Sequence, residues 1–115
     1  VAGLVGSMAS PVYSAMKFGI VGFAKSLAQR YAPDGIRVNA VCPGPVDTPM
    51  LPQFFTRGDA PQASEELRTR IVSAIPLGRV ARAEEIARAA VWLASDDASY
   101  ITGVALPVDG GFSCR

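Results

Sequence analysis

The chain has 115 residues, and its 11 basic and 10 acidic side chains are spread along its length. A net charge of +1 without a basic cluster gives no electrostatic footprint for nucleic acid or an anionic membrane, so we expect neither as a partner. The longest apolar run is far shorter than the roughly 18 residues of a membrane-spanning helix, and the opening lacks a signal-peptide pattern. These two features lead us to expect a soluble, cytoplasmic protein. With two Cys and no His, we expect no metal site.

The composition is unusually apolar for an ordinary soluble domain. Half of the residues are hydrophobic and another 11 are Gly, which together exceed the roughly 45 to 50% that is usual. This excess predicts apolar surface that residues outside this sequence normally cover. Because the chain opens on Val1 rather than Met, with a run of small and apolar residues, we interpret its start as an internal cut in a longer protein.

The first predicted element is a helix over residues 12–31. Its apolar and small side chains recur with the i, i+3, i+4 spacing of an amphipathic helix. Ser10-Pro11 supplies a cap and a first-turn proline, and Pro33-Asp34-Gly35 ends the helix. Gly19 and Gly22 each cost a helix about 1 kcal/mol relative to Ala, so we expect another backbone to pack closely beside them.

A strand and a long loop are predicted next. Residues 36–42, I-R-V-N-A-V-C, are rich in β-branched side chains and bounded by glycine and proline, as in a strand of a covered sheet. The polar Asn39 is expected to hydrogen-bond neighbouring backbone rather than a ligand. Residues 45–63 contain four prolines and few periodic positions, which predicts a long loop that we interpret as a lid.

Two helices and a final strand follow the loop. Ser64 is expected to cap a helix that has Glu65 and Glu66 in its first turn. Residues 83–95 predict another helix, with Glu84 and Glu85 at its positive end.

The predicted final strand covers residues 103–108, and Asp109-Gly-Gly is expected to form a turn. Pro107 cannot donate to a ladder, which favours a sheet edge. Strand–helix–strand connections of this length imply parallel pairing in an α/β sheet. Two strands are too few to bury such a sheet, so we expect the missing strands upstream of Val1.

Tyr13 and Lys17 are the pair of residues with a chemical mechanism. Their i, i+4 spacing on a helix puts the phenol and the ammonium on one face, with Cβ atoms about 5 to 6 Å apart. A phenol ordinarily keeps its proton until about pH 10, but a cation about 5 Å away favours the phenolate by roughly 3 kcal/mol. This favours Tyr13 as a general acid or base, although a tyrosine and lysine at this spacing are, taken alone, more often a surface pair without a role.

The rest of the sequence gives that pair a context. After Tyr13-x-x-x-Lys17 come, in order, R-V-N-A-V-C-P-G at 37–44 with Thr48 beyond it, P-L-G-R at 76–79, E-I-A at 85–87, W-L-A-S at 92–95, I-T-G at 101–103 and V-D-G-G at 108–111. Together they resemble the short-chain dehydrogenase/reductase family, most of all its 3-oxoacyl-carrier-protein reductase and secondary-alcohol dehydrogenase group. The resemblance implies the C-terminal part of a doubly wound, parallel-sheet Rossmann-like fold. It also implies that residues 1–115 belong to a single domain whose N-terminal cofactor-binding part is missing.

The resemblance further implies hydride transfer between a nicotinamide cofactor, NAD or NADP, and a small carbonyl or alcohol substrate. Tyr13 would then exchange a proton with the substrate oxygen, and Lys17 would assist Tyr13 and bind the nicotinamide ribose. The implied cofactor-binding residues are Tyr13, Lys17, Pro43, Gly44, Val46 and Thr48. Members of this group are often homo-oligomers, so we expect a dimer or tetramer of the full-length protein, with the edge at Val104, Leu106 and Val108 at a subunit contact.

Some residues that the family uses do not occur in this sequence. The family's catalytic Ser falls before Val1, and so do its glycine-rich phosphate loop and the Asn of its proton relay. Ser7, Ser10 and Ser14 do not match that catalytic position. We therefore expect the 115 residues alone to be inactive, and the alternative is a non-catalytic assembly or binding module derived from this fold.

Overall fold

The computed structural model describes residues 1–7, 10–51 and 61–114. Its regular elements are, in chain order, α1 (Pro11–Tyr31), a 3-10 turn (Ala32–Asp34), β1 (Ala40–Pro43), β2 (Val46–Asp47), α2 (Pro61–Ser73), β3 (Ala81–Arg82), α3 (Ala83–Ala94), a second 3-10 turn (Asp96–Ala98) and β4 (Ala105–Val108). β1 pairs with β4 and β2 pairs with β3, and both pairs are parallel. The parallel pairing predicted from the connections is therefore confirmed.

α1 confirms the first predicted helix. Pro11 is its first residue, and the chain leaves the 3-10 turn at Gly35, whose φ of 74° suits glycine. The close neighbour expected beside Gly19 and Gly22 is absent from the described residues, since an added Cβ at either position meets nothing within 4 Å. Much of the apolar side of α1 is exposed, with Val12 and Phe23 at 74% and 65%.

The predicted strand over residues 36–42 exists, but its bounds were wrong. β1 begins only at Ala40. Before it, the Val38 carbonyl still accepts from the Gly103 amide over 2.8 Å, but side chains replace the ladder partners of other backbone groups. The amide of Val38 donates to the Thr102 hydroxyl over 3.1 Å, and the Asn39 carboxamide accepts from the Val104 amide over 3.0 Å. Asn39 also donates to the Ile101 carbonyl over 2.9 Å. The backbone-bonding role predicted for Asn39 is confirmed.

The final strand also starts later than predicted. Gly103 has a φ of 76°, which is incompatible with a strand, and β4 begins at Ala105. Pro107 is exposed and lies opposite Cys42 in the register. Gly110 and Gly111 have φ values of 64° and 88°, and they form the predicted turn.

The predictions for the middle of the chain were partly wrong. The predicted 45–63 loop contains β2, and α2 begins at Pro61, so Ser64 lies inside the helix instead of capping it. For the same reason Glu65 and Glu66 are not in its first turn. Residues 52–60, on which much of the lid interpretation depends, lie outside the described residues.

α3 is the helix predicted over residues 83–95, and it ends one residue earlier, at Ala94. Glu84 and Glu85 occupy its first turn as expected. Its C-terminal end is closed by Arg37, whose guanidinium donates to the carbonyls of Leu93, Ser95 and Ile101 over 2.7, 3.0 and 3.1 Å. A cation at a helix C-terminus is favoured because the last carbonyls lack helical donors. Arg37 thus ties the segment before β1 to the segment before β4.

The core of the described residues is small. Its buried hydrophobic side chains are Ala28, Cys42, Ile75, Leu93 and Ala98, all of them below 9% exposed. Cys42 and Cys114 are free thiols. None of the helices in the described ranges is both long and apolar enough to cross a membrane.

Candidate active site

Tyr13 and Lys17 lie in the first two turns of α1 and share one face. The Nζ atom of Lys17 is 5.3 Å from the centroid of the Tyr13 ring, within reach of a cation–π interaction. Tyr13 is 39% exposed, so other molecules can reach its ring edge. The juxtaposition that the i, i+4 spacing predicted is present.

The first residues of the chain brace this part of α1. The amide of Ser7 donates to the hydroxyl of Ser14 over 2.9 Å, and Ser14 is buried. Gly3 lies against the helix backbone, because a Cβ added there would be 2.8 Å from the Lys17 carbonyl oxygen. Sequence reasoning gave neither Ser14 nor Gly3 a role, since each acts through a contact between α1 and the irregular segment before it, which no helical spacing reports.

The predicted cofactor residues Pro43, Gly44, Val46 and Thr48 lie at the carboxyl end of the β1–β4 pair, in a segment that starts at the last residue of β1 and includes β2. We call residues 43–48 the 43–48 loop. The amide of Gly44 donates to the Val108 carbonyl over 3.0 Å, which extends the β1–β4 pairing by one step. A Cβ on Gly44 would lie 2.8 Å from the Cα and 2.9 Å from the Cβ of Asp109. Only glycine allows this approach, so the 43–48 loop and the 109–111 turn are packed directly together.

Val46 and Thr48 lie further along the 43–48 loop. Val46 belongs to β2, which is held by β3. Within the part of the chain that the structure describes, the Thr48 hydroxyl makes one long hydrogen bond, 3.5 Å, to the Val46 carbonyl. A hydroxyl held so weakly is available to a ligand.

Asp109 fastens the turn against which Gly44 packs. One carboxylate oxygen accepts from the Gly111 amide over 3.0 Å, and the other accepts from the amide and hydroxyl of Ser113 over 3.0 and 2.6 Å. Burial raises the pKa of Asp109, but the hydrogen bonds from Ser113 and Gly111 outweigh it and hold the pKa below its ordinary value. Asp109 is therefore an ionised anchor for the turn.

Val1 connects the two halves of the site. Its amine donates to the Pro43 carbonyl over 2.5 Å. This contact links the segment that packs against α1 to the start of the 43–48 loop.

The arrangement combines a reachable phenol, a neighbouring ammonium and a glycine-containing loop at the carboxyl end of parallel strands. Ligands of open α/β folds bind at that edge. A phenol beside an ammonium can exchange a proton with a bound oxygen atom. These features suit a proton-transfer site next to a ligand that lies over the strand ends.

Comparison with known proteins identifies the family. A sequence model of the family described as enoyl-(acyl carrier protein) reductase matches residues 1–113. The chain belongs to the short-chain dehydrogenase/reductase family. The family predicted from the motif series is therefore confirmed.

Individual family members give the same result. The chain is 42% identical to the 3-oxoacyl-(acyl-carrier-protein) reductase of Chlamydia trachomatis, over 98% of this chain and 42% of that protein. It superposes on a short chain dehydrogenase family protein from Francisella tularensis with a TM-score of 0.89 and 32% identity, covering 99% of this chain and 48% of that one. For a putative 2-deoxy-D-gluconate 3-dehydrogenase from Agrobacterium tumefaciens with bound NADP, the TM-score is 0.83 and the identity 38%, over 99% and 44% of the two chains.

The chain thus spans less than half the length of each of these three short-chain dehydrogenases/reductases. Its helices and parallel strands superpose on part of the doubly wound, Rossmann-like fold of these solved dehydrogenases. The predicted α/β fold class is confirmed by that superposition.

Acidification is expected to remove the stabilising effect of Asp109. Because its folded-state pKa is depressed, the carboxylate stabilises the fold above its ordinary pKa of 3.8, and this contribution is lost as the pH falls below that value. Asp109→Asn should therefore lower the urea midpoint of this short-chain dehydrogenase/reductase at pH 6, and the difference from the unmodified protein should shrink at pH 3. A difference that stays the same at both pH values would contradict an ionised Asp109.

Proposed function

We propose that the protein to which these residues belong is an oxidoreductase, which transfers a hydride between NAD or NADP and a carbonyl or secondary-alcohol substrate. The observation that carries this proposal is the position of the Lys17 ammonium, 5.3 Å from the centre of the Tyr13 ring, at an accessible turn of α1. Membership in a family whose relatives include reductases and dehydrogenases supports the same reaction class.

Tyr13 acts as the general acid in the reducing direction. Its hydroxyl donates a proton to the substrate carbonyl oxygen, and in the oxidising direction the phenolate accepts a proton from the alcohol. Lys17 places a positive charge beside the ring, where it stabilises the negative charge that develops on the Tyr13 oxygen during proton transfer in either direction. Solvent returns the proton to Tyr13 after each reduction.

The 43–48 loop has groups that fit a nicotinamide. Gly44 has no side chain beyond its backbone, Val46 offers backbone polar groups, and Thr48 carries a weakly held hydroxyl. The backbone of Val46 and the hydroxyl of Thr48 are neutral donors and acceptors of the kind a carboxamide requires. Pro43 and Gly44 shape the backbone that leads to them, and Lys17 supplies a donor for the ribose. When bound, the nicotinamide supplies the hydride. The NADP held by the Agrobacterium relative supports a nicotinamide cofactor and leaves both phosphate forms open for this protein.

The same proposal covers the organisation of the whole protein. Residues 1–115 are the C-terminal part of a single Rossmann-like domain, and the upstream part supplies the phosphate loop and the catalytic Ser. The complete protein is cytoplasmic and assembles as a homo-oligomer, a dimer or tetramer. The exposed apolar side of α1 supports the view that further residues cover it.

Activity of the complete protein tests the proposal. We expect it to oxidise NADH or NADPH, followed by absorbance, in the presence of a panel of 3-oxoacyl thioesters and simple ketones. The 115 residues alone should bind cofactor poorly and show no turnover, because the phosphate loop is absent from them. Robust turnover by the 115 residues would refute the proposal that catalysis needs groups from the upstream part of the protein. If the complete protein oxidises neither cofactor with any member of the panel, the assembly-module alternative is favoured.

A further inference from the structure

The 43–48 loop contains β2, a strand too short to be stable without support from neighbouring elements. β2 and β3 have two residues each, with Val46 opposite Ala81 and Asp47 opposite Arg82. The Ala81 amide also donates to the Pro45 carbonyl over 3.0 Å. A two-stranded pair of this length is not stable by itself in water, so something outside the pair must fix β3.

Glu85 is the residue that holds β3 on one side. The Arg79 guanidinium donates to both of its carboxylate oxygens, over 2.7 and 2.8 Å. The Arg82 amide donates to the same carboxylate over 2.8 Å. Glu85 is the third residue of α3, so its carboxylate is fixed by a regular helix. It binds Arg79 and Arg82, which flank Ala81 on either side.

The segment before β3 is also fixed at its other end. The Leu77 amide donates to the Gly110 carbonyl over 3.1 Å, and Ile75 is buried against Gly110. A cleft of about 260 Å³ has Pro45, Arg79, Glu85 and the 109–111 turn among its lining residues. The arginine–glutamate pair and Pro45 of the 43–48 loop therefore line the same cleft.

The charge state of this pair is constant under ordinary conditions. Hydrogen bonds from the Arg79 side chain and then the Arg82 amide lower the pKa of Glu85 to about 2, and the pKa of Arg79 is raised. Bidentate arginine–carboxylate pairs also fix orientation, which a lysine cannot do in the same way.

From this geometry we propose that Arg79 and Glu85 are positioning residues for cofactor binding. Their bidentate pair fixes β3, β3 fixes β2, and β2 sets the position of the Val46 backbone and the Thr48 hydroxyl. Neither residue touches the cofactor. This inference rests on the proposed function, because it assumes that the 43–48 loop meets the nicotinamide.

Kinetics of the complete protein test the inference, with Glu85→Gln and Arg79→Gln as the variants. Each should raise the cofactor KM about tenfold while kcat at saturating cofactor stays within about twofold, since misplacement of a binding group by a fraction of an ångström has effects of this order. The double variant should be no worse than either single variant, because both remove the same pair. Glu84→Gln is the matched control, since it removes the neighbouring carboxylate on the same helical turn and should leave the cofactor KM unchanged.

Amide hydrogen exchange gives a readout that does not need turnover. Peptides containing residues 45–48 and 81–82 should exchange faster in Glu85→Gln than in Glu84→Gln, while peptides from α1 should not differ. An unchanged cofactor KM in both single variants overturns the inference, even where their thermal stability falls. If the unmodified protein oxidises no nicotinamide cofactor, the proposed function fails, whatever the variants do. Equal exchange rates in Glu85→Gln and Glu84→Gln would separately show that the Arg79–Glu85 pair does not fix β2, which would overturn the inference.

Discussion

Replacing Tyr13 with phenylalanine in the complete protein is expected to lower kcat by about 10² to 10⁴, the usual contribution of a positioned general acid or base. The substitution removes only the hydroxyl oxygen, and the ring that lies 5.3 Å from the Lys17 ammonium remains. Because Tyr13 is 39% exposed, the loss of its hydroxyl leaves no large cavity and should not unfold the protein. Turnover should therefore fall without a matching fall in stability.

The measurement is a steady-state assay of both cofactors together with a thermal unfolding curve for each variant. Tyr100→Phe provides the matched control, because Tyr100 is fully exposed in the described chain and removal of its hydroxyl should change neither quantity. Lys17→Met should also lower kcat, since the positive charge beside the Tyr13 ring is then lost. Full turnover by the Tyr13→Phe variant would remove the basis of the proposed mechanism.

The sequence predicted best those features that depend on residues close to each other along the chain. The apolar periodicity of α1 and α3 and the glycine at position 35 are local signals. The observed ends of both helices lie within one residue of the predicted ends. The juxtaposition of Tyr13 and Lys17 belongs to the same class, because one helical turn fixes it.

The strand bounds could not be predicted for a physical reason. β1 is shorter than its apolar pattern because Asn39 and Thr102, more than 60 residues apart in the chain, supply hydrogen bonds that a ladder would otherwise make. The shift at β4 has another origin, since Gly103 adopts a left-handed conformation that its apolar neighbours do not reveal.

The candidate site shows the same division between local and distant contacts. The proximity of Tyr13 and Lys17 was readable from their spacing, and the 43–48 loop was readable only through resemblance to a family. Two residues support that loop from segments far along the chain. Asp109 packs against Gly44, and Glu85 accepts a hydrogen bond from the Arg82 amide, next to Ala81. No periodicity or local motif reports such contacts, so they required the structure.

The substitution Gly44→Ala is expected to destabilise the fold strongly, because it adds a methyl group where the Asp109 backbone leaves no room. In Gly44→Ala the new Cβ would lie 2.8 Å from the Asp109 Cα and 3.1 Å from its carbonyl oxygen, so backbone rather than a flexible side chain must move. Overpacking of this kind costs about 3 kcal/mol at its upper range. The hydrogen bond from the Gly44 amide to the Val108 carbonyl would be strained by the same movement.

The urea midpoint and the cofactor KM of the complete protein measure the two consequences of that movement. We expect Gly44→Ala to lower the midpoint and to raise the KM, because the 43–48 loop is pushed away from the 109–111 turn that supports it. Gly6→Ala adds the same methyl group where no described atom lies within 4 Å, and its effect should stay within about 0.5 kcal/mol. Equal midpoints for the two variants would mean that Gly44 and Asp109 are not in contact. A lowered midpoint with an unchanged KM would mean that the contact supports the fold without setting the cofactor-binding position of the loop.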